Sequence, residues 1–197
     1  MRIITGTARG RNLETLEGGD ITRPTLQRVK EAMFSAVQFR IAGAKCLDMF
    51  AGSGQLGIEA LSRGADLCVF IDQSRAAAGV VQRNLKNAGL YQNARVITGD
   101  AISFSQRCRD KFDIIFIDPP FAANLYESAL AAAERVCADG AQVLVETTAK
   151  LQLPEQVGAL SLFRRYKHGN TAVWLYRTPE NETLPGEIAN ADGDLSG

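Results

Sequence analysis

The stretch Phe112-Asp113-Ile114-Ile115-Phe116-Ile117-Asp118-Pro119-Pro120-Phe121 decides the fold. Its β-branched and aromatic residues are typical of a strand that is buried on both faces, as in a parallel sheet. The two prolines after Asp118 prevent both continued strand pairing and helix. Because ligands bind at the carboxyl ends of the strands in an open α/β sheet, we expect this turn to lie in a cleft.

The chemistry of this turn suits a planar base that carries an exocyclic amine. The Asp118 carboxylate and the exposed carbonyls accept hydrogen bonds, and the Phe121 ring can stack. For an isolated Asp-Pro-Pro, a strand cap followed by a stiff loop is an equally good interpretation. The rest of the chain has to decide between the two.

Strands and helices alternate on both sides of this stretch. Besides 112–118, the pattern predicts strands at 45–50, 67–71, 94–98, 142–146, 161–166 and 172–176. It predicts helices at 26–39, 74–89 and 125–136, and a turn at 52–57 that enters a helix ending at about residue 63. This order predicts an α/β fold: a Rossmann-like, doubly wound, seven-stranded, mostly parallel sheet with a C-terminal antiparallel hairpin. Residues 1–40 are expected to add a small β-hairpin and a helix, residues 41–178 to form the main domain, and the acidic segment 179–197 to be disordered.

Length and charge fit one domain with a polyanionic partner. A chain of 197 residues with 46% hydrophobic residues can bury one core but not two. Its 22 basic and 22 acidic residues balance, yet five of the acids lie beyond Thr178, where there is no Lys or Arg. Residues 1–178 therefore hold 22 basic and 17 acidic residues, a mild surplus of positive charge.

Cysteine usage and hydropathy argue against metal, disulfide and membrane classes. The four cysteines are far apart without a C-x-x-C pair: Cys46, Cys68, Cys108 and Cys137. No apolar run approaches the roughly 18 residues of a membrane span, and no signal-peptide pattern begins the chain. We therefore expect a cytoplasmic protein without a metal site.

The glycine-rich segment 48–57 admits two ligands. Gly52-Ser53-Gly54-Gln55-Leu56-Gly57 satisfies G-x-G-x-x-G after a strand, and Asp72 follows 20 residues after Gly52, as a dinucleotide site requires. Asp48 argues against a dinucleotide, because a carboxylate beside the glycine turn would repel a pyrophosphate. S-adenosylmethionine carries an α-ammonium and a sulfonium and no phosphate, so an acid there suits it.

Acidic residues end four predicted strands in succession. They are Asp48, Asp72, Asp100 and Asp118. Asp72 can accept hydrogen bonds from ribose hydroxyls, and Asp100 from the adenine amine. One such acid is more often a helix cap or turn former, but four at one edge favour S-adenosylmethionine over a dinucleotide.

Several ordered motifs extend over residues 1 to about 178. They are Arg2-Ile3-Ile4-x-Gly6-x-x-x-Gly10-Arg11, Arg23-Pro24-Thr25-x-x-Arg28-Val29-Lys30-Glu31-x-x-Phe34, Asp48-x-Phe50-Ala51-Gly52-Ser53-Gly54-x-Leu56-Gly57-x-Glu59-Ala60-x-Ser62-Arg63-Gly64-Ala65, Asp72, Gly99-Asp100 and Asp118-Pro119-Pro120-Phe121. Taken together, these motifs resemble those of class I methyltransferases that act on amines, and more narrowly those of the RsmD family. Gln27 departs from the family pattern, in which an acid is usual, and the acidic tail is additional.

The resemblance implies methylation of guanine N2 in 16S ribosomal RNA, within the small subunit or an assembly intermediate, by a monomer that uses S-adenosylmethionine. The implied catalytic residues are Asp118, Pro119, Pro120 and Phe121. The implied donor-binding residues are Asp48, Phe50, Gly52, Gly54, Asp72, Asp100, Ala101 and Asp118. The implied substrate-binding residues are Arg2, Arg9, Arg11, Arg23, Thr25 and Arg28, although the arginines of 1–16 are equally compatible with a solvated hairpin.

Three alternatives stay open from sequence. The first is a dinucleotide-dependent oxidoreductase, which leaves Asp48 and Asp118 without a role. The second is an RNA-binding module without catalysis. The third is a methyltransferase acting on DNA adenine N6 or on a protein glutamine, because the turn around Asp118 accepts any amine of this kind.

Overall fold

The computed structural model describes residues 1–16, 24–120 and 125–180, and of residues 24–26 the backbone alone. The helices are α1 Pro24–Val37, α2 Gln55–Ser62, α3 Arg75–Ala88, α4 Ala101–Arg107 and α5 Tyr126–Arg135. The strands are β1 Lys45–Asp48, β2 Leu67–Asp72, β3 Ala94–Thr98, β4 Phe112–Ile117, β5 Cys137–Thr148, β6 Gln156–Val157, β7 Leu160–His168 and β8 Thr171–Arg177. Within this described part, no helix has the length and apolar character needed to cross a membrane.

One sheet joins all eight strands in the order β3-β2-β1-β4-β5-β8-β7-β6. Strands β1 to β5 pair in parallel, and β8, β7 and β6 continue the sheet with antiparallel pairing. The predicted α/β class, parallel core and C-terminal hairpin are confirmed. The predicted number of seven strands is wrong by one, because the two-residue β6 is too short to show a hydrophobic period.

Local sequence explains most element boundaries. Ser74 accepts a hydrogen bond from the Ala77 N–H at the start of α3, and Gly89 ends that helix with a left-handed φ of 72°. Strand β5 is longer than the predicted 142–146, because residues 137–141 and 147–148 also belong to it. Helix α1 ends at Val37, two residues before the predicted end, and Phe39 is 93% exposed.

The two faces of the sheet bury separate halves of the core. Phe70, Phe116 and Leu144 belong to the cluster that also contains the apolar face of α1 and the N-terminal residues. Val69 and Ile115 point to the opposite face, where α5 packs. Since side chains alternate along a strand, residues two apart share a face, which decides which strand-end side chains can meet.

The predicted N-terminal hairpin is present around an antiparallel bridge between Arg2 and Asn12, with backbone hydrogen bonds from the Ile3 N–H to the Arg11 carbonyl at 3.0 Å and from the Gly10 N–H to the Ile3 carbonyl at 2.9 Å. Its turn is also joined to α2, because the Thr7 N–H donates to the Ser62 carbonyl at 2.8 Å. Gly6, with φ at +88°, lies so close that a Cβ would come within 1.7 Å of the Ser62 oxygen. The arm 1–16 is therefore attached to α2, which a local pattern cannot reveal.

Candidate active site

A cleft of about 710 Å³ opens at the carboxyl ends of β1, β2 and β4. The predicted site residues that line it are Asp48, Phe50, Gly52, Asp72, Ala101, Asp118, Pro119 and Pro120. Among the described residues that line the cleft, the charged ones are three aspartates and none is basic. The cleft therefore favours a cationic ligand and opposes an anionic one.

The Asp48 carboxylate accepts a hydrogen bond from the first turn of α2. Its side chain is 1% exposed, and its Oδ2 accepts a hydrogen bond from the Gly57 N–H at 3.1 Å. That donor belongs to the first turn of α2, the place where a pyrophosphate would bind in a dinucleotide site. The pKa of Asp48 is raised to about 7. Burial is the main cause, the hydrogen bond from the Gly57 N–H opposes it in part, and the charges of Asp118 and Asp72 add to it.

Asp72 connects the glycine turn with α3. Its Oδ2 accepts from the Gly52 N–H and its Oδ1 from the Ser74 N–H, both at 2.8 Å. Each oxygen keeps a second lone pair, so the carboxylate is held rigidly and can still accept hydrogen bonds from a ligand. Asp72 thus orients the turn as well as facing the cleft.

Two glycines give the turn its shape. Gly52 and Gly54 both have positive φ, 53° and 80°, which other residues rarely adopt. Gly54 precedes the first residue of α2 and does not line the cleft, because Ile58 and Val81 pack where its Cβ would be. Its contribution is therefore to the backbone path rather than to ligand contact.

Asp100, predicted to bind the donor, does not line the cleft. Its Oδ1 accepts from the Ser103 N–H at 2.7 Å and caps α4, and its Oδ2 accepts from Gln73 Nε2 at 2.9 Å. These hydrogen bonds lower the pKa of Asp100, and the cleft is lined by its neighbours Gly99 and Ala101 instead. In this structure Asp100 acts as a helix cap, as the simpler interpretation of a strand-end acid has it.

Asp118 stands at the end of β4, beside Asp48 across the strands, since Asp48 is paired with Phe116. Burial raises the pKa of Asp118 to about 6. Pro119 is buried and Pro120 exposed, and both line the cleft. Phe121, predicted to stack on a base, lies outside the described residues.

The predicted substrate-binding residues whose side chains the structure describes do not line the cleft. Arg2, Arg9 and Arg11 are exposed on the N-terminal arm, and Arg11 donates a hydrogen bond to the Asn87 carbonyl at the end of α3. Arg28 is exposed on α1. Arg23 and the side chain of Thr25 lie outside the described residues.

Sequence reasoning missed Asn84, which joins the N-terminal arm to the cleft. Asn84 is fully buried; its Oδ1 accepts from the Glu14 N–H, and its Nδ2 donates to the carbonyls of Glu14 and Ser53. The arm thereby places Leu16 in the cleft wall. A polar residue on the apolar stripe of α3, between Val81 and Leu85, is the signal that could have revealed it.

Comparison with known proteins places this site in a family. The family model described as Conserved hypothetical protein 95 matches residues 1–177, which include every residue described above. The chain belongs to this family. The resemblance that the motifs predicted is confirmed.

Named relatives match two thirds or more of the chain's length, within rounding. The Ribosomal RNA small subunit methyltransferase D of Escherichia coli (strain K12) is 39% identical over 181 residues, which are 90% of this chain and 89% of that protein. The protein of the same name from Haemophilus influenzae is 40% identical over 133 residues, 66% of this chain and 68% of that one. The solved structure of yhhF from Escherichia coli matches with a TM-score of 0.79 and 37% identity, covering 91% of this chain and 98% of that one.

Proposed function

We infer that this member of the family is an S-adenosylmethionine-dependent methyltransferase that modifies ribosomal RNA of the small subunit. Its curated relatives carry that name. The observation that carries the inference is the cleft, in which every charged lining residue of the described chain is an aspartate. One of them, Asp118, begins the Asp-Pro-Pro turn that follows β4. The acidic cleft suits a cationic methyl donor. The hydrogen-bond acceptors of the turn beside it suit a neutral amine as the methyl acceptor.

The cleft fits the donor in size and charge. A volume of about 710 Å³ lies within the range usual for small-molecule sites. S-adenosylmethionine supplies an electrophilic methyl group on a sulfonium. Asp48, Asp72, the turn at Gly52 and Ala101 would hold it, because they line the cleft and provide negative charge and backbone contacts. A dinucleotide fits poorly, since Asp48 occupies the first turn of α2.

The finer proposal is that the acceptor is the N2 amine of a guanine. Its lone pair is delocalised into the ring, so the amine is a weak nucleophile. Hydrogen bonds from the amine to the Asp118 carboxylate and the Pro119 carbonyl would stabilise the positive charge that develops on nitrogen as the methyl group arrives. Phe121 would stack on the base, which is worth roughly 1–3 kcal/mol. The base has to leave its stack to reach this turn.

The wider substrate would be 16S ribosomal RNA in the small subunit or an assembly intermediate, bound by a monomer in the cytoplasm. Support comes from Arg2, Arg9 and Arg11 on the arm and Arg28 on α1, which are exposed and do not line the cleft. We expect these four to hold RNA around the target rather than the target base itself. Arg23 and Thr25 would add to this contact.

Methyl transfer tests the function directly. Purified protein, labelled S-adenosylmethionine and small ribosomal subunits from cells that lack the gene should give label in 16S RNA, with N2-methylguanosine as the product by mass spectrometry of nucleosides. Naked 16S RNA, DNA and protein serve as parallel substrates. Methyladenine in DNA, methylated glutamine, or no label with any substrate would refute the assignment.

Asp118→Ala should abolish methyl transfer while S-adenosylmethionine still binds, because the donor is held mainly by β1 and β2. We expect at least about a 100-fold loss in kcat. Asp113→Asn is the matched control: Asp113 is on the same strand, and its Oδ2 accepts from the Lys45 N–H away from the cleft. Near-normal turnover in Asp118→Ala would contradict the mechanism.

A further inference from the structure

Two carboxyl side chains are neighbours by register near the carboxyl ends of the adjacent strands β4 and β5. The last registered pair of these parallel strands is Ile117 with Val145, so Asp118 and Glu146 follow as neighbours. Two residues earlier, Phe116 and Leu144 are also paired and belong to the same core cluster. Since residues two apart share a face, the two carboxyl groups point to the same side across strands about 4.8 Å apart.

Glu146 is buried without a cationic or donor partner. It is 7% exposed, and among the described residues no hydrogen bond or ion pair involves it. Glu59, the other buried glutamate of the described chain, is in contrast contacted by Lys30 and Arg63. A buried carboxyl group without a partner avoids the cost of burying charge by keeping its proton.

Titratable groups approach Glu146 from several elements. The charge of Asp118 on β4 acts on Glu146, and both acids act on the buried Tyr126 hydroxyl of α5, which has no hydrogen-bond partner in the described chain. Strand β8 pairs Val173 with Glu146, and β7 brings Tyr166 opposite Val173. Helix α1 packs on the same face of the sheet as Glu146; its buried Lys30 is paired with Glu59, and its Arg28 and Glu31 are exposed. Among the described residues, Asp118 is the charged group that raises the pKa of Glu146.

The protonation preferences of the pair agree with this geometry. Burial, followed by the charge of Asp118, raises the pKa of Glu146 to about 8. Burial alone raises the pKa of Asp118 to about 6. Because the charge of Asp118 acts on Glu146, the two carboxyl groups titrate as a coupled pair, and the proton lies preferentially on Glu146. Burial and then the charges of Asp118 and Glu146 raise the pKa of Tyr126 to about 12, so the phenol stays neutral.

We propose that Glu146 is a positioning residue that carries the proton of this pair and donates it in a hydrogen bond to one oxygen of Asp118. The other Asp118 oxygen then remains free and correctly oriented for the amine that accepts the methyl group, a role that rests on the function proposed above. Asp118 otherwise has no hydrogen bond to a described residue that would fix its rotation. The proposal gives a role to Glu146, a buried acid of β5 without a basic partner among the described residues.

The proton on Glu146 is measurable without catalysis. In protein labelled with ¹³C at glutamate carboxyl groups, the NMR signal absent from Glu146→Gln identifies Glu146. We expect its midpoint near pH 8 and a lower midpoint in Asp118→Asn, because the charge that opposes ionisation is gone. A midpoint near the ordinary glutamate value of about 4.3, or no response to Asp118→Asn, would overturn the pair.

Kinetics tests the positioning role. Glu146→Gln keeps a neutral donor, so kcat should stay within about 3-fold of the parent, while the loss of activity above about pH 8 that ionised Glu146 causes should vanish. Glu146→Ala should lower kcat at least about 10-fold with an unchanged KM for S-adenosylmethionine, as expected for a lost hydrogen bond to a charged group. Glu127→Gln, exposed on α5, is the matched control.

The two experiments separate this inference from the proposed function. If no substrate is methylated but Glu146 titrates near pH 8 and responds to Asp118→Asn, the proposed function fails and the proton-sharing pair stands. If methyl transfer proceeds and Glu146→Ala matches the parent at every pH, the function stands and the positioning role is refuted.

Discussion

Replacing Glu59 by alanine should unfold the link between the N-terminal arm, α1 and α2. Glu59 is fully buried in α2. Its oxygens accept from the N–H groups of Ile4 at 2.8 Å and Thr5 at 3.0 Å, and they lie 3.1 Å from Lys30 Nζ and 2.9 Å from Arg63 Nε. One carboxylate thus forms ion pairs with two cations and satisfies two backbone donors.

The expected loss of stability follows from what the carboxylate leaves behind. Lys30 has a side chain only 6% exposed, and its contact with Glu59 is an ion pair without an aligned hydrogen bond. Breaking a buried pair costs about 3–5 kcal/mol, and each backbone N–H left without a partner adds about 1–3 kcal/mol unless water reaches it. We expect about 5 kcal/mol for Glu59→Ala, a large part of the roughly 5–15 kcal/mol typical of a folded protein.

Urea unfolding followed by circular dichroism measures this loss. With a slope of about 3 kcal/mol per molar urea, 5 kcal/mol lowers the midpoint by about 1.7 M. Lys30→Met should cost less, because Glu59 keeps Arg63 and both N–H groups. Glu14→Ala is the control: Glu14 pairs with Arg83 where both side chains are about half exposed, and such pairs are worth about 0–1 kcal/mol.

The pH dependence provides an internal check. Burial lowers the pKa of Lys30, and Glu59 partly opposes that effect. Without Glu59 the folded-state pKa of Lys30 falls further below its unfolded value, so the stability that the buried charge costs is recovered as pH rises above the folded-state pKa of Lys30 in the variant. A midpoint shift in Glu59→Ala no larger than that of Glu14→Ala, or one independent of pH, would refute the reasoning.

Three further outcomes follow from the site. Gly57→Ala should lower the free energy of unfolding by about 1–3 kcal/mol in urea titrations, because a Cβ would come within 2.3 Å of the buried Phe70 ring; unchanged stability would contradict the packing. The pKa of Asp48 is raised to about 7, and a cationic donor favours its ionised form, so calorimetry should show affinity for S-adenosylmethionine rising from pH 6 to 8 with proton release, whereas pH-independent binding would contradict it. Asn84→Ala should weaken donor binding and lower the free energy of unfolding by about 1–3 kcal/mol, since the carbonyls of Ser53 and Glu14 lose their donor. An unchanged affinity for S-adenosylmethionine in calorimetry would show that the N-terminal arm does not contribute to the donor site.

Local pattern was sufficient for the elements and for much of the cleft. The buried run 112–117, the cap at Ser74 and the terminator Gly89 each express a preference of the residues themselves, so their elements are found as predicted. Asp48 and Asp72 line the cleft because parallel strands bring their carboxyl ends to one edge whatever their sequence separation. For these two residues, predicting the end of the strand was sufficient to predict their position at the cleft.

Only the tertiary structure decided which side chains become lateral neighbours. Glu146 lies beside Asp118 because β4 and β5 are paired in one register, and Glu59 anchors the arm from 55 residues away. Asp100 looks like the other strand-end acids but caps α4, because the helix that follows it offers nearer donors than the cleft does. Periodicity reports the burial of each residue along its own element, whereas contacts across elements depend on long-range pairing and register, which no local stretch of sequence contains.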